Sequence, residues 1–266
     1  MTTYALANGS PHGDRHLGGL SGMFDPFTAA RIGESTALAG ARCLELGAGN
    51  GSVARWLAEQ VGPDGHVTAT DIDVRHIPAH DRVSVLRHDL TRDPLPGGPY
   101  DLIHARCLLG HLPNREALLP ELTGRLAPGG TILIEDFDTT GAGRTTAVLH
   151  APADPPGLTD LWDSYEELRN ELFTTAGTDG SFVVRIHGLL VDAGLTDVQT
   201  VTYRPSWRGG DPGSRHALGT LQQFRPKLAD RGFAGGAVDA LVAALDHPDF
   251  HIAGRFLCST SGRAAR

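Results

Sequence analysis

The sequence predicts an α/β protein built on a doubly wound, parallel sheet, and three observations predict it. A short apolar strand, Cys43 to Leu46, runs into a turn with glycine at alternate positions (Gly47, Gly49, Gly51). An amphipathic helix follows at once, with Val53, Trp56, Leu57 and Val61 at helical spacing. Strand, glycine turn and helix together open a βαβ unit. From Ala41 to Glu135, apolar strand-like segments then alternate with helical ones, the rhythm of parallel strands joined by crossovers.

In chain order, residues 1–21 are polar and rich in Gly and His, and read as a loose arm. Met23 to Leu38 reads as one or two helices, with Asp25-Pro26 as a start signal. Strand 1 covers 41–46 and its helix 51–61, closed by the turn Gly62-Pro63-Asp64-Gly65. Strand 2 is His66 to Thr70, ending in Asp71; strand 3 is Val83 to Arg87, ending in His88-Asp89-Leu90; strand 4 is Tyr100 to Ala105. A helix over 115–126 precedes Pro128-Gly129-Gly130 and strand 5, Thr131 to Glu135. The rhythm then breaks. Thr139 to Gly157, rich in Gly, Pro and Thr, reads as a long loop, and Leu158 to Phe173 as a helix with Leu161, Tyr165, Leu168 and Leu172 on one face. Phe182 to Ala193 is a helix stopped at Gly194, Val198 to Tyr203 a strand, 214–229 and 236–246 helices, and His251 to Cys258 the last strand. The division expected is an N-terminal arm with lid helices (1–40), a ligand-binding core (41–138), an inserted helical cap over the ligand mouth (139–180), and the rest of the core sheet with further helices (181–266).

Composition bounds the function. The chain has 266 residues, net charge −8, 40% hydrophobic and 20% charged residues, ordinary for a globular domain with an insertion. An acidic chain without a Lys/Arg run has no general attraction for phosphate backbones or anionic membranes. Cys43, Cys107 and Cys258 are widely spaced and read as buried reduced thiols. Without a signal-like N-terminus or a membrane-length apolar run, the expected location is cytoplasmic.

The glycine turn narrows the ligand. A dinucleotide fingerprint reads GxGxxG, but here Ser52 stands at the last glycine position and the pattern is GxGxG. Glu45, just ahead of the first glycine, disfavours a pyrophosphate and suits a ligand carrying a positive charge. No phosphate loop follows, and Lys is absent from the N-terminal half. The expected ligand is a nucleoside without phosphates.

Glu45-Leu46-Gly47-Ala48-Gly49-Asn50-Gly51 resembles motif I of the class I S-adenosylmethionine (SAM)-dependent methyltransferases, nearest to bacterial small-molecule enzymes of the ubiquinone/menaquinone-methylase type. The resemblance covers Ala41 to Asp136 by motif and extends more loosely to the C-terminus. It implies a Rossmann-like seven-stranded sheet whose last strand inserts antiparallel between strands 5 and 6, with SAM as cofactor. Gly47, Ala48, Gly49 and Gly51 would form the cofactor turn, and Glu45 would act at a distance on the methionyl amino group. Asp71, about 20 residues beyond the turn, would hold the ribose hydroxyls; the alternative is a strand-end turn residue. Ile72 would pack on adenine, Asp89 accept from its amino group and the Leu90 amide meet a ring nitrogen; alternatively Asp89 is a helix N-cap ahead of Thr91. The backbone at Ala105 and Arg106 would close the site, with the Arg106 side chain on cofactor, substrate or Glu116. The N-terminal segment would fold over the cofactor as a lid, or simply pack as a helix.

Methyl transfer asks mainly for alignment, plus a base when the acceptor must lose a proton. His111 is the first candidate, although Gly110-His111 stands where many relatives carry a His-His pair; a role in ordering the loop is the alternative. Asp136 and Asp138 follow strand 5 and would bind a polar or cationic substrate or cap the next helix. No metal is expected, since His104 and Arg106 stand where a catechol-type site would want a carboxylate. Trp162, Tyr165 and Phe173 would line an apolar pocket or form a core stripe. The reading is a methyltransferase acting on a small organic acceptor, with specialised metabolism as its setting and a homo-oligomer left open. Nucleic-acid methylation is disfavoured because Ala105-Arg106-Cys107-Leu108 replaces the Asn/Asp-Pro-Pro-aromatic signature. The alternatives are a SAM-binding protein without methyl transfer, cyclase-like or regulatory, and a nicotinamide oxidoreductase.

Overall fold

The structure is a computed structural model and describes Leu6 and residues 11–140, 147–152 and 157–266. Its strands are β1 (Arg42–Leu46), β2 (His66–Asp71), β3 (Val83–Arg87), β4 (Tyr100–Arg106), β5 (Leu126–Asp138), β6 (Ala147–His150), β7 (Thr196–Tyr203), β8 (Ser206–Arg208), β9 (His251–Ala253) and β10 (Phe256–Arg263). Its helices are α1 (Pro11–Ser35), α2 (Ser52–Val61), α3 (Arg115–Thr123), α4 (Leu158–Thr175), α5 (Phe182–Asp192), α6 (Pro212–Ala229) and α7 (Gly235–Asp246). The chain divides into two units: Met1–Phe24, Asp138–Thr178 and Arg204–Phe256 form one; Asp25–Phe137, Asp179–Tyr203 and Leu257–Arg266 form the other.

The second unit holds a seven-stranded sheet in the order β3-β2-β1-β4-β5-β10-β7. β1 pairs in parallel with β2 on one side and β4 on the other, so strand order reverses beside β1. In doubly wound sheets ligands bind at the carboxyl ends of the strands at that reversal. Both faces are covered, which is why β1 and β4 read as continuous buried runs. On one face Cys43, Val67, Leu102 and Leu133 pack with Ile32 of α1 and with Val53, Leu57 and Val61 of α2. On the other, Leu44, Leu46, Ile103 and Ile134 pack with Leu118 and Leu122 of α3 and with Phe182, Ile186 and Leu190 of α5.

The last strand of this sheet is β10, Phe256–Arg263, antiparallel to β7 and lying between β5 and β7 as the resemblance implies. Its position differs from the His251–Cys258 expected. His251–Ala253 is instead a separate strand, and the sheet takes the polar run Ser259-Thr260-Ser261, which is buried. The hydroxyls of Ser259 and Ser261 accept from the Arg31 guanidinium, both at 3.4 Å, and Thr260 pairs with Thr200 at 3.0 Å. Hydrogen bonding there replaces the apolar side chains that sequence reading looks for.

The first unit contains a small antiparallel sheet, β6-β9-β8, and a core of Trp162, Tyr165, Phe224, Phe250, Leu221 and Leu241 from α4, α6, α7 and the segment before β9. α1 is one helix from Pro11, where a loose arm was expected up to residue 21. Its glycines are contact points rather than breaks. A Cβ on Gly19 would lie 2.6 Å from the backbone nitrogen of His216, and one on Gly22 2.9 Å from Pro212, so only glycine allows α1 this close to α6. Pro26 lies inside the same helix instead of starting it. Within the expected loop over 139–157, β6 forms at Ala147–His150; residues 141–146 and 153–156 lie outside the described residues. Among the described residues, no helix is long and apolar enough to cross a membrane.

Candidate active site

The turn after β1 is made by three left-handed glycines, Gly47 (φ 65°), Gly49 (φ 57°) and Gly51 (φ 75°). A side chain would be strained at each. Two positions are also close-packed: a Cβ on Gly47 would meet Leu108 at 3.0 Å, and one on Gly51 would meet Ile77 at 2.9 Å and Pro78 at 3.0 Å. Ala48 donates its N–H to Thr70 O at 2.9 Å, tying the turn to β2. Asp71, at the end of β2, receives Gly49 N on Oδ2 (2.8 Å) and Asp73 N on Oδ1 (2.9 Å). Burial raises its carboxyl pKa, and these backbone donors oppose the rise. Its carboxylate thus fixes the turn from the neighbouring strand.

Beyond Asp71 lies a cavity of about 280 Å³ lined by Ile72, Arg87, His88, Asp89 and Asp93. Ile72 is 57% exposed, an apolar side chain held open beside it. His88 Nε2 lies 3.0 Å from Pro94 O, and its buried Nδ1 has no protein partner. Asp89 Oδ1 accepts from the Thr91 N–H (2.9 Å) and hydroxyl (2.6 Å) in a turn that no helix follows, and these donors lower its pKa. Its Oδ2 stands 3.6 Å from Arg92. Leu90 is buried, with its carbonyl accepting from Asn114 at 2.9 Å.

Under the turn runs a buried polar network that sequence reading missed. Glu45 on β1 and His104 on β4 are register partners, and Glu135 follows on β5. His104 Nδ1 lies 2.6 Å from Glu45 Oε2 and its Nε2 3.4 Å from Glu135 Oε2. Burial alone would lower the imidazole pKa, but the two carboxylates outweigh it and raise it to about 9, so both ring nitrogens donate at neutral pH. Thr28 donates to Glu135 Oε2 at 2.5 Å, and Arg106 donates to Thr28 Oγ1 (2.9 Å) and Asp25 Oδ1 (2.7 Å). Arg106 therefore pairs with α1 and not with Glu116, which pairs with Arg185 at 2.8 Å. Three carboxylates against two cations leave one net negative charge beneath the turn. The signal was present in the sequence as single charged residues interrupting apolar strands, but only the register brings them together.

Past β4, His111 is half-buried in a short turn, Leu109–His111. Asp136 accepts from Gly110 N (3.2 Å) and Phe137 N (2.8 Å), and burial pushes its carboxyl up to about 6. A Cβ at Gly110 would lie 3.0 Å from Asp136 Oδ2, so glycine here lets the carboxylate reach the backbone. Asp138 caps Thr140. Trp162 and Tyr165 are fully buried in the core of the first unit and Phe173 packs on it, so the core-stripe reading holds. Cys43, Cys107 and Cys258 are free thiols.

This strand order, with a left-handed glycine turn after β1, defines the class I methyltransferase fold. Residues 28–200 match the family described as "Methyltransferase domain". The chain is 36% identical over 128 residues to methyltransferase str3 of Strobilurus tenacellus, covering 47% of this chain and 45% of that protein. It is 29% identical over 132 residues to the ubiquinone/menaquinone biosynthesis C-methyltransferase UbiE of Cupriavidus necator, covering 47% of this chain and 53% of that protein. The chain thus spans about half the length of these curated relatives. In structure it resembles Haemonchus contortus phosphoethanolamine N-methyltransferase 2, solved with phosphomonomethylethanolamine and S-adenosylhomocysteine (TM-score 0.54, 16% identity, 91% of this chain and 53% of that one). The chain belongs to the methyltransferase domain family; a further structure of the Haemonchus enzyme (TM-score 0.52, 16% identity) holds S-adenosyl-L-methionine as cofactor.

The residues present fit that cofactor: a bare-backbone turn that a Cβ would fill, an acidic residue at the next strand end, and a cavity with an open apolar side chain and an unpartnered ring nitrogen. Gly51→Val tests the turn. With its strained φ and the Ile77 and Pro78 contacts, it is expected to cost about 2 kcal/mol or more of stability and to abolish S-adenosylhomocysteine binding; thermal unfolding and calorimetric titration read the two effects.

Proposed function

We propose that the chain is a SAM-dependent methyltransferase acting on a small organic acceptor in specialised metabolism, without a nucleic-acid or membrane partner. The observation that carries this reading is the Gly47–Gly51 turn bonded to Asp71 at the point where strand order reverses. Gly47, Ala48, Gly49 and Gly51 line the cofactor path, Asp71 holds the ribose, and Ile72, Asp89 and Leu90 take the adenine, with His88 beside them. Glu45, Ala105 and Arg106 bound the methionyl end. When bound, SAM supplies an electrophilic methyl group on a sulfonium. The net negative charge of the Glu45–His104–Glu135–Arg106–Asp25 network favours a positively charged ligand above it.

Two groups near the end of β4 can take a proton from an acceptor. The Asp136 carboxyl, raised to about 6, is matched to general-base work at neutral pH. His111 has the ring suited to the same task. His111→Ala is expected to slow turnover about 10²-fold, the lower range for a lost acid–base group, while S-adenosylhomocysteine affinity stays unchanged. The assay follows S-adenosylhomocysteine formation over a panel of phenols, acids and amines. Full turnover in the variant assigns the base to Asp136 or to none. Cofactor binding without product from any acceptor favours the second reading, a SAM-binding protein that transfers no methyl group.

A further inference from the structure

The polar side chains that line the cavity beyond β2 are already engaged within the protein, apart from one ring nitrogen. Arg87 donates its Nε–H to the Ile72 carbonyl at 3.2 Å. Asp93 takes the Asp89 N–H on Oδ2 at 2.8 Å. Asp89 gives Oδ1 to the Thr91 amide and hydroxyl, and its Oδ2 stands 3.6 Å from Arg92. The remaining group is His88 Nδ1, which is buried and has no protein partner.

The other ring nitrogen sets the tautomer. His88 Nε2 lies 3.0 Å from the carbonyl oxygen of Pro94. A carbonyl only accepts, so Nε2 carries the proton, and in the neutral ring Nδ1 is left as a lone pair. This anchor, with the ring only 9% exposed, holds the imidazole in place. The two carboxylates have an alternative that Nδ1 lacks. Asp93 is exposed and Asp89 half-buried, so water serves their spare lone pairs. A buried acceptor without a donor is costly, and a ligand N–H therefore gains most at Nδ1.

The exposed side chain of Ile72 gives the same cavity an apolar surface for a flat ring. Adenine brings both a flat ring and an exocyclic amine at its edge. Hypoxanthine, with a carbonyl oxygen in place of that amine, would set an acceptor against an acceptor. The resemblance assigns the amine to Asp89, whose Oδ1 is taken up by Thr91 instead.

We propose that His88, through the Nδ1 lone pair, accepts from the exocyclic amine of adenine in place of Asp89, and so makes the site selective for an aminopurine over an oxopurine nucleoside. The proposal rests on the cofactor reading above and adds which residue reads the base.

The test is calorimetry on the full chain with S-adenosylhomocysteine and with S-inosylhomocysteine, in which an oxygen replaces the exocyclic amine. The unaltered protein is expected to bind the first about tenfold more tightly or better, tenfold being the equivalent of 1.4 kcal/mol. His88→Phe keeps a flat ring without a lone pair and should bring the two affinities together, chiefly by weakening S-adenosylhomocysteine. His88→Asn, whose amide oxygen can stand where Nδ1 does, should restore part of the preference, and it serves if the phenylalanine variant fails to fold. Asp89→Ala should weaken both ligands alike, because its turn walls the cavity, and leave their ratio in place. Nitrogen NMR of the unaltered protein should show the Nδ1 signal moving with S-adenosylhomocysteine and not with S-inosylhomocysteine. Equal affinity for the two ligands, an unchanged ratio in His88→Phe, or a ratio lost in Asp89→Ala overturns the role of His88 and leaves the cofactor reading standing. Failure of S-adenosylhomocysteine to bind at all sinks the cofactor reading, and this inference falls with it.

Discussion

Replacing His104 by alanine is expected to destabilise the protein by about 3–5 kcal/mol, the cost of breaking a buried ion pair from one side. The variant would leave Glu45 and Glu135, both buried, without the cation that lies between them. Urea titration at neutral pH measures the loss. Lowering the pH should shrink it, because protonated carboxyls no longer need the imidazolium. The unaltered protein carries the opposite signature. The folded imidazole pKa of about 9 lies above the ordinary 6.5, so the folded state holds this proton more tightly. The stability it contributes is fully present below pH 6.5 and is lost as pH rises through 9, roughly 3 kcal/mol in all. A flat stability curve between pH 6.5 and 9 would show that His104 is neutral in the fold; the same flatness is the expected result for His104→Ala.

Asp71→Ala carries the second large effect, this time on the ligand. The substitution removes the acceptor for Gly49 N and Asp73 N and any carboxylate contact to the ribose. With hydrogen bonds to charged groups contributing about 1.5–3 kcal/mol, S-adenosylhomocysteine should bind 10- to 100-fold more weakly by calorimetry. Asp71→Asn separates the two roles. It can still accept one backbone N–H but meets the other with its own donor. Retention of affinity in Asp71→Asn would mean that turn geometry, not a charged acceptor, is what the ligand needs. Unchanged affinity in Asp71→Ala would remove Asp71 from the site.

The parts of the fold legible in the sequence are those set by local chemistry. Strand, glycine turn and helix over residues 42–61 are written in consecutive residues, and the structure has them there. Asp71 was legible because its place follows from the length of one βα crossover. What was not legible depends on tertiary partners. The glycines of α1 looked like looseness, yet Gly19 and Gly22 are where α6 presses closest. The serines of β10 looked unlike a buried strand because the guanidinium that satisfies them comes from Arg31, more than 200 residues earlier. His104 and Glu135 each read as an isolated polar residue; the register of β1, β4 and β5 makes them one cluster with Glu45. Tyr165 and Trp162 fit both a pocket and a core by spacing, and burial decided for the core.

Gly110 has a practical consequence for anyone who would re-engineer this protein. A β-carbon at position 110 would lie 3.0 Å from Asp136 Oδ2, so the carboxylate would have to give way by a few tenths of an ångström. Grafting the paired-histidine segment of a relative into this scaffold would therefore press on Asp136 Oδ2 and loosen its bond from the Gly110 amide, while the Phe137 amide still holds Oδ1. A chimera that exchanges both segments together avoids that strain.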